Sequence, residues 1–139
     1  MPTPSATTRR DIVSSKVLPA PRFRYSPVVR SGAFIFVSGL VGLNALTGSL
    51  AEGGAYGQTA QILGTLKRLC DEQGWRLSNL LVARVFCANV EDAAAVNKAW
   101  EEAFEAIEPP ARTFVTVTGL PLGAAVEIEF QLFSEEGKS

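Results

Sequence analysis

Arg112, Glu127 and Glu129 are the charges on which chemistry could be built, because the residues around them are mostly apolar. Arg112 comes just before Thr113–Thr118, a β-branched and aromatic run that suits a pleated surface. Glu127 and Glu129 fall inside a second run, 125–133, among Val126, Ile128 and Phe130. In a strand, positions 127 and 129 share one face, about 7 Å apart, and 126, 128 and 130 share the other. An arginine fork binds a carboxylate through two parallel hydrogen bonds. A glutamate can hold a water or move its proton. Together they would make a cleft with an arginine at one strand end and a carboxylate nearby. The same charges also fit a plainer arrangement, the wet face of a half-buried sheet.

Composition narrows the chemistry. The chain has 139 residues and no histidine. Ser–His and Cys–His nucleophile systems are therefore out, and so are histidine-based zinc and iron sites. Two cysteines, Cys70 and Cys87, are too few for a disulfide framework and lack metal-ligand spacing. Both sit in apolar segments and read as buried free thiols. A net charge of −1 gives no footprint for nucleic acid. No apolar run approaches the ~20 residues that span a bilayer. Arg9 and Arg10 are not followed by a secretory apolar segment. The expectation is a cytoplasmic protein with no nucleic acid and no membrane partner.

The positioning elements follow from pattern. Residues 1–15 read as a flexible N-terminal tail, its first eight residues rich in Pro, Ser and Thr, and 16–139 as a single domain. Tyr25–Val29 is a candidate strand interrupted by Pro27, with a turn at Arg30-Ser31-Gly32. Ala33–Ser38 is apolar on both faces, reads as a buried strand and breaks at Gly39. Residues 41–54 are glycine-rich but lack the glycine–lysine signature of a phosphate loop. From about Ala55 to Glu72, Tyr56, Ala60, Leu63, Leu66 and Cys70 recur at helical spacing, with Gly74 as the stop. Leu80–Ala88 reads as another buried strand, whose Arg84 needs a partner or solvent. Asn89–Asp92 can cap a second helix, with Val96, Ala99 or Trp100, Ala103 or Phe104, and Ile107 on its apolar stripe, ending before Pro109 and Pro110. The order β-β-α-β-α-β-β predicts an α+β fold: one mixed sheet with two helices on one face. The uncovered face would find its cover in a partner subunit.

Several of these residues, taken in order, resemble the RidA/YjgF family of reactive intermediate deaminases, also known as endoribonuclease L-PSP. They are Tyr25-Ser26, Phe36-Val37-Ser38-Gly39, Val96-Asn97, Pro110-Ala111-Arg112, Gly119-Leu120-Pro121 and Val126-Glu127-Ile128-Glu129. The resemblance runs from Tyr25 to Phe133 and implies a chorismate-mutase-like fold assembled as a homotrimer, with clefts between subunits. It implies hydrolysis of enamines and imines such as 2-aminoacrylate to keto acids and ammonia, without metal or cofactor. Carried over, Arg112 would grip the substrate carboxylate, and Glu127 would activate the water and return protons to the leaving ammonia. Tyr25 would line the cleft, Ser38 and Gly39 would form its floor, and Asn97 would support its wall. Phe114 stands where some members have cysteine, Leu40 and Pro27 where glutamine is common, and Phe23-Arg24 where Gly-Pro often precedes the tyrosine. These changes make the pocket more apolar and bulkier.

Two other functions stay open at this point. One is a non-catalytic trimeric module that binds small carboxylates in the same clefts. The other is a ribonuclease or translation inhibitor, a role also attached to this family. It would have to work without histidine and without a basic face.

Overall fold

The computed structural model describes residues 9–135. Eight principal elements follow in order: strand β1 (Asp11–Ile12), β2 (Val28–Ser31), β3 (Phe34–Val41), helix α1 (Gly54–Gln73), β4 (Leu80–Cys87), α2 (Ala93–Ala103), β5 (Ala111–Thr116) and β6 (Val126–Phe133). The strands form one six-stranded mixed sheet in the order β1-β2-β3-β6-β4-β5. Only β4 and β5 run parallel; every other neighbouring pair is antiparallel.

The alternation of β6 decides how the sheet is used. Val126, Ile128, Phe130 and Leu132 are buried, as are their register partners Ile35, Val37, Ala83, Val85 and Cys87. Over this face lie Ile62, Leu66, Leu69 and Cys70 of α1 and Val96 and Trp100 of α2. Both helices cover the same face, as the element order requires. Gly74 ends α1 in the left-handed region, φ 81°, where glycine bears no Cβ penalty.

The opposite face is bare. Phe34 and Phe36 are 45% and 44% exposed, and Leu81, Val115 and Phe133 also reach solvent. Phe34 and Phe133 meet edge to face, 5.2 Å between centroids. Beside them Arg84 and Glu129 pair at 3.5 Å across β4 and β6, which supplies the partner that Arg84 needs.

Several local expectations are corrected. Ala33–Ser38 is not buried on both faces: Ile35 and Val37 lie in the core, but the phenylalanines between them face outward. The strand does not stop at Gly39. It runs to Val41 through a register shift between Val37 and Leu40, a bulge that absorbs the glycine. Similarly, β4 leaves Leu81 exposed. The first hairpin turns at Gly32-Ala33, with Gly32 at φ 59°. Its first strand starts at Val28, after Pro27 rather than across it. On α1, Tyr56 and Ala60 point outward, whereas Leu63, Leu66 and Cys70 are buried as expected, together with Ala55, Gln58, Thr59, Ile62 and Leu69. Residues 1–8 of the expected tail lie outside the described residues, but Asp11 and Ile12 pair with Arg30 and Val29 as β1. Ser15 and the Lys16 amide both donate to the Glu72 carboxylate, at 2.7 Å each. The segment 11–15 is therefore attached to the domain.

Candidate functional site

The sequence-predicted residues gather into two groups. The first is built on β3 and β6. At the bulge, the Ser38 hydroxyl donates to the Ser26 carbonyl at 2.7 Å, and the Ser38 amide donates to Pro27 at 2.9 Å. These bonds tie the loop that carries Tyr25 to the bulge in β3. Tyr25 itself is half exposed. Gly39 lies against Glu127: a Cβ at position 39 would come within 2.9 Å of the Glu127 carboxyl group. Only glycine leaves the carboxylate where it is. Glu127 makes no hydrogen bond or ion pair among the described residues. Burial, and then the neighbouring charge of Glu129, raise its pKa above the usual carboxylate value.

The second group is built on α2 and β5. The Arg112 guanidinium donates from Nη1 to Asn97 Oδ1 at 2.8 Å. Its central carbon lies 5.0 Å from the Trp100 ring and 5.4 Å from the Phe114 ring. Phe114 is two residues beyond Arg112 on the strand, so both side chains project to one face. Asn97 and Trp100 are three apart on α2 and likewise share a face. Burial lowers the Arg112 pKa and Glu101 opposes the shift; the side chain stays cationic at any ordinary pH.

These two groups do not share a cleft within one chain. Arg112 is in register with Ala83, and Ala83 with Phe130, both buried beneath the helices. Glu127 is in register with Phe86, and Phe86 with Val115, on the bare face. Strand β4 stands between β5 and β6. The two residues are thus two strand spacings apart, ~10 Å, three residues apart along the strands, ~10 Å, and on opposite faces. The loop between the two runs does not close a hairpin. It passes over the end of β4.

Sequence reasoning left two members of the second group unassigned. Trp100 read only as one of two candidates, with Ala99, for the apolar stripe, although its three-residue spacing from Asn97 puts the two on one helix face. Glu101 carried no signal. Among the described residues, no three Asp, Glu or Cys side chains gather where they could hold a metal ion, and Cys70 and Cys87 are buried free thiols. No described helix is long and apolar enough to cross a membrane. A depression of ≈ 240 Å³ on the bare face is lined by Val29, Phe36, Ser38, Arg84 and Glu129, next to the Glu127 group. A wider groove of ≈ 660 Å³ runs along the outer side of α1 past Gly57, Gln61 and Arg68, away from both groups. Chemically, the second group can receive a carboxylate on the open edge of Arg112. The first can hold a proton or pass it to water.

Comparison with known proteins agrees with this fold. The family profile described as endoribonuclease L-PSP matches residues 15–132. A RutC family protein of Aquifex aeolicus is 34% identical over 121 residues, 86% of this chain and 95% of that protein. A 2-iminobutanoate/2-iminopropanoate deaminase of Dermatophagoides farinae is 31% identical over 118 residues, 85% of this chain and 91% of that protein. Among solved structures, YyfA of Yersinia pestis, a protein of the Rid family, superposes with a TM-score of 0.82 at 27% identity, covering 89% of this chain and 98% of its own.

Proposed function

The chain belongs to the endoribonuclease L-PSP family, within which lie the RutC and RidA proteins, and on that premise we propose that it hydrolyses enamine- and imine-type carboxylates to keto acids and ammonia. Arg112 holds the substrate carboxylate on its free edge. Water adds to the imine carbon while Glu127 takes up its proton. The carbinolamine then collapses to the ketone, and the proton returned by Glu127 leaves with nitrogen as ammonia. One imine and one water give one keto acid and one ammonia. Tyr25 lines the cleft, Ser38 and Gly39 form its floor, and Phe114 borders the substrate side chain. The enzyme is a homotrimer in the cytoplasm, and it needs no cofactor.

The observation that carries this reading is the division of the site into two complementary halves. A carboxylate grip without a proton carrier occupies the helix side of β5, and a proton carrier without a grip occupies the bare side of β6. A second copy that covers the bare face can bring its grip to the first copy's Glu127. The exposed Phe34, Phe36 and Phe133 favour such a cover. The Dermatophagoides farinae relative, a 2-iminobutanoate/2-iminopropanoate deaminase, supports the reaction class.

The test is ammonia and keto-acid release from enzymatically generated imines, comparing wild type with Arg112→Ala. Turnover in the wild type that falls at least a hundredfold in the variant is expected, on the order of a lost charge-assisted fork. Equal turnover in both would end the proposal. The ring of Phe114, 5.4 Å from the Arg112 guanidinium, favours one second reading, a trimer that binds small carboxylates without chemistry. That protein would bind 2-oxobutanoate in an Arg112-dependent way and release no ammonia from any imine.

A further inference from the structure

Arg112 is an exposed residue whose guanidinium is nonetheless held from two directions. The bond to Asn97 uses one of its five N–H donors. A single hydrogen bond fixes one point of the planar group and leaves it free to turn about that point. A ring packed against the guanidinium removes that freedom. Trp100 supplies such a ring at 5.0 Å, and Trp100 is itself immobilised, 7% exposed and packed on Phe104 with centroids 4.5 Å apart. Phe114 adds a second ring at 5.4 Å, on the same strand as the arginine. The platform is thus part of the core, and the group it supports stands at the surface.

We propose that Trp100 is a positioning residue: its buried indole sets the plane of the Arg112 guanidinium so that the edge left free by Asn97 meets a carboxylate in bidentate register. This rests on the carboxylate-binding role proposed for Arg112. Bidentate pairing depends on plane as well as on charge, so an arginine free to rotate offers one bond where a fixed one offers two. The grip is equal in the ground and transition states, because the carboxylate is unchanged by hydrolysis of the imine. Loss of the platform therefore raises KM and leaves kcat in place.

The test measures 2-oxobutanoate affinity by calorimetry and imine turnover on the intact assembly. Trp100→Leu keeps an apolar side chain and removes the ring. It should weaken binding about tenfold and raise KM by a similar factor, the size of one partly desolvated cation–π contact. Trp100→Tyr should stay within about twofold of wild type, because it keeps an aromatic face. In an Arg112→Ala background, Trp100→Leu should cost nothing further, since no guanidinium remains to be positioned. Should Trp100→Leu not fold, biosynthetic replacement by fluorinated tryptophans keeps the shape and withdraws π density. Affinity should then fall stepwise with each added fluorine. Unchanged affinity in the leucine or fluorinated proteins would overturn the proposal. So would a loss in Trp100→Tyr equal to that in Trp100→Leu, or a loss that persists without Arg112. Wild-type turnover with affinity insensitive to Trp100 would leave the deaminase reading standing and this one refuted. Trp100-sensitive carboxylate binding without ammonia release would do the reverse. A wild type that binds no carboxylate would refute the positioning role.

Discussion

Gly39 and Glu127 are fitted to each other across β3 and β6, and a Cβ at position 39 would lie 2.9 Å from the Glu127 carboxyl carbon. Because the register shift between Val37 and Leu40 brings the β3 backbone to this spot, the bulge and the carboxylate form one arrangement.

Gly39→Ala should therefore damage activity more than stability. The added methyl group meets the far end of a flexible side chain, which can swing away. Position 39 is not in the left-handed region, so alanine carries no backbone strain there. We expect turnover to fall by roughly 10²-fold, as for a displaced proton-transfer group, with a change in Tm of no more than about 3 °C. Imine turnover and thermal unfolding, measured on the same preparation, check this. Full activity in Gly39→Ala would show that Glu127 need not stand where it does.

The raised pKa of Glu127 has a defined sign in stability. Burial and the Glu129 charge favour the protonated form in the folded chain. The favourable contribution is fully present below the unfolded glutamate pKa and is lost as pH rises through the folded value. At neutral pH the ionised group is a burden. Glu127→Gln should accordingly raise Tm at pH 7 and abolish turnover, and its advantage over wild type should shrink as pH falls below about 5. Unfolding scans between pH 4 and 8 would read it, and an equal advantage at both ends would contradict the assigned cause.

The separation of Arg112 from Glu127 by face and by strand predicts complementation. Arg112→Ala and Glu127→Ala proteins should each be inactive alone. In the proposed homotrimer, the two proteins refolded together at equal amounts should regain about a quarter of wild-type activity, because three-quarters of random trimers would be mixed and each of those would have one of three clefts intact. Activity that stays at background in the mixture, with mixed trimers shown by mass spectrometry, would place both residues in one chain's cleft.

The fold class was legible because the two helices carry periodic signals and four of the strands stand out as short apolar runs rich in β-branched and aromatic residues. Val126, Ile128 and Phe130 announced the core face of β6 by simple alternation. What the pattern could not supply was adjacency. The Thr113–Thr118 and Ala125–Phe133 runs are close in sequence, yet β4 is placed between them by pairing. Continuous apolarity misled for Phe34 and Phe36, whose hydrophobicity in a single chain cannot be told from core hydrophobicity. Gly39 read as a strand end because glycine marks breaks and bulges alike. Arg112 and Asn97 were recognisable as types, but their contact, and Trp100 beneath it, depended on how α2 lies over β5.

The strand order also governs when the domain can form. In chain order β6 is the last strand, yet it occupies the middle of the sheet, bonded to β3 on one side and β4 on the other. Until Val126–Phe133 emerges during synthesis, β1–β3 and β4–β5 are two sheet fragments with nothing to join them, each presenting an open, apolar edge. The two pairings that unite the sheet, β3–β6 and β4–β6, are thus deferred to a single late event, and the half-made chain is at its most sticky just before it. Holdase chaperones would find their longest opportunity in that interval.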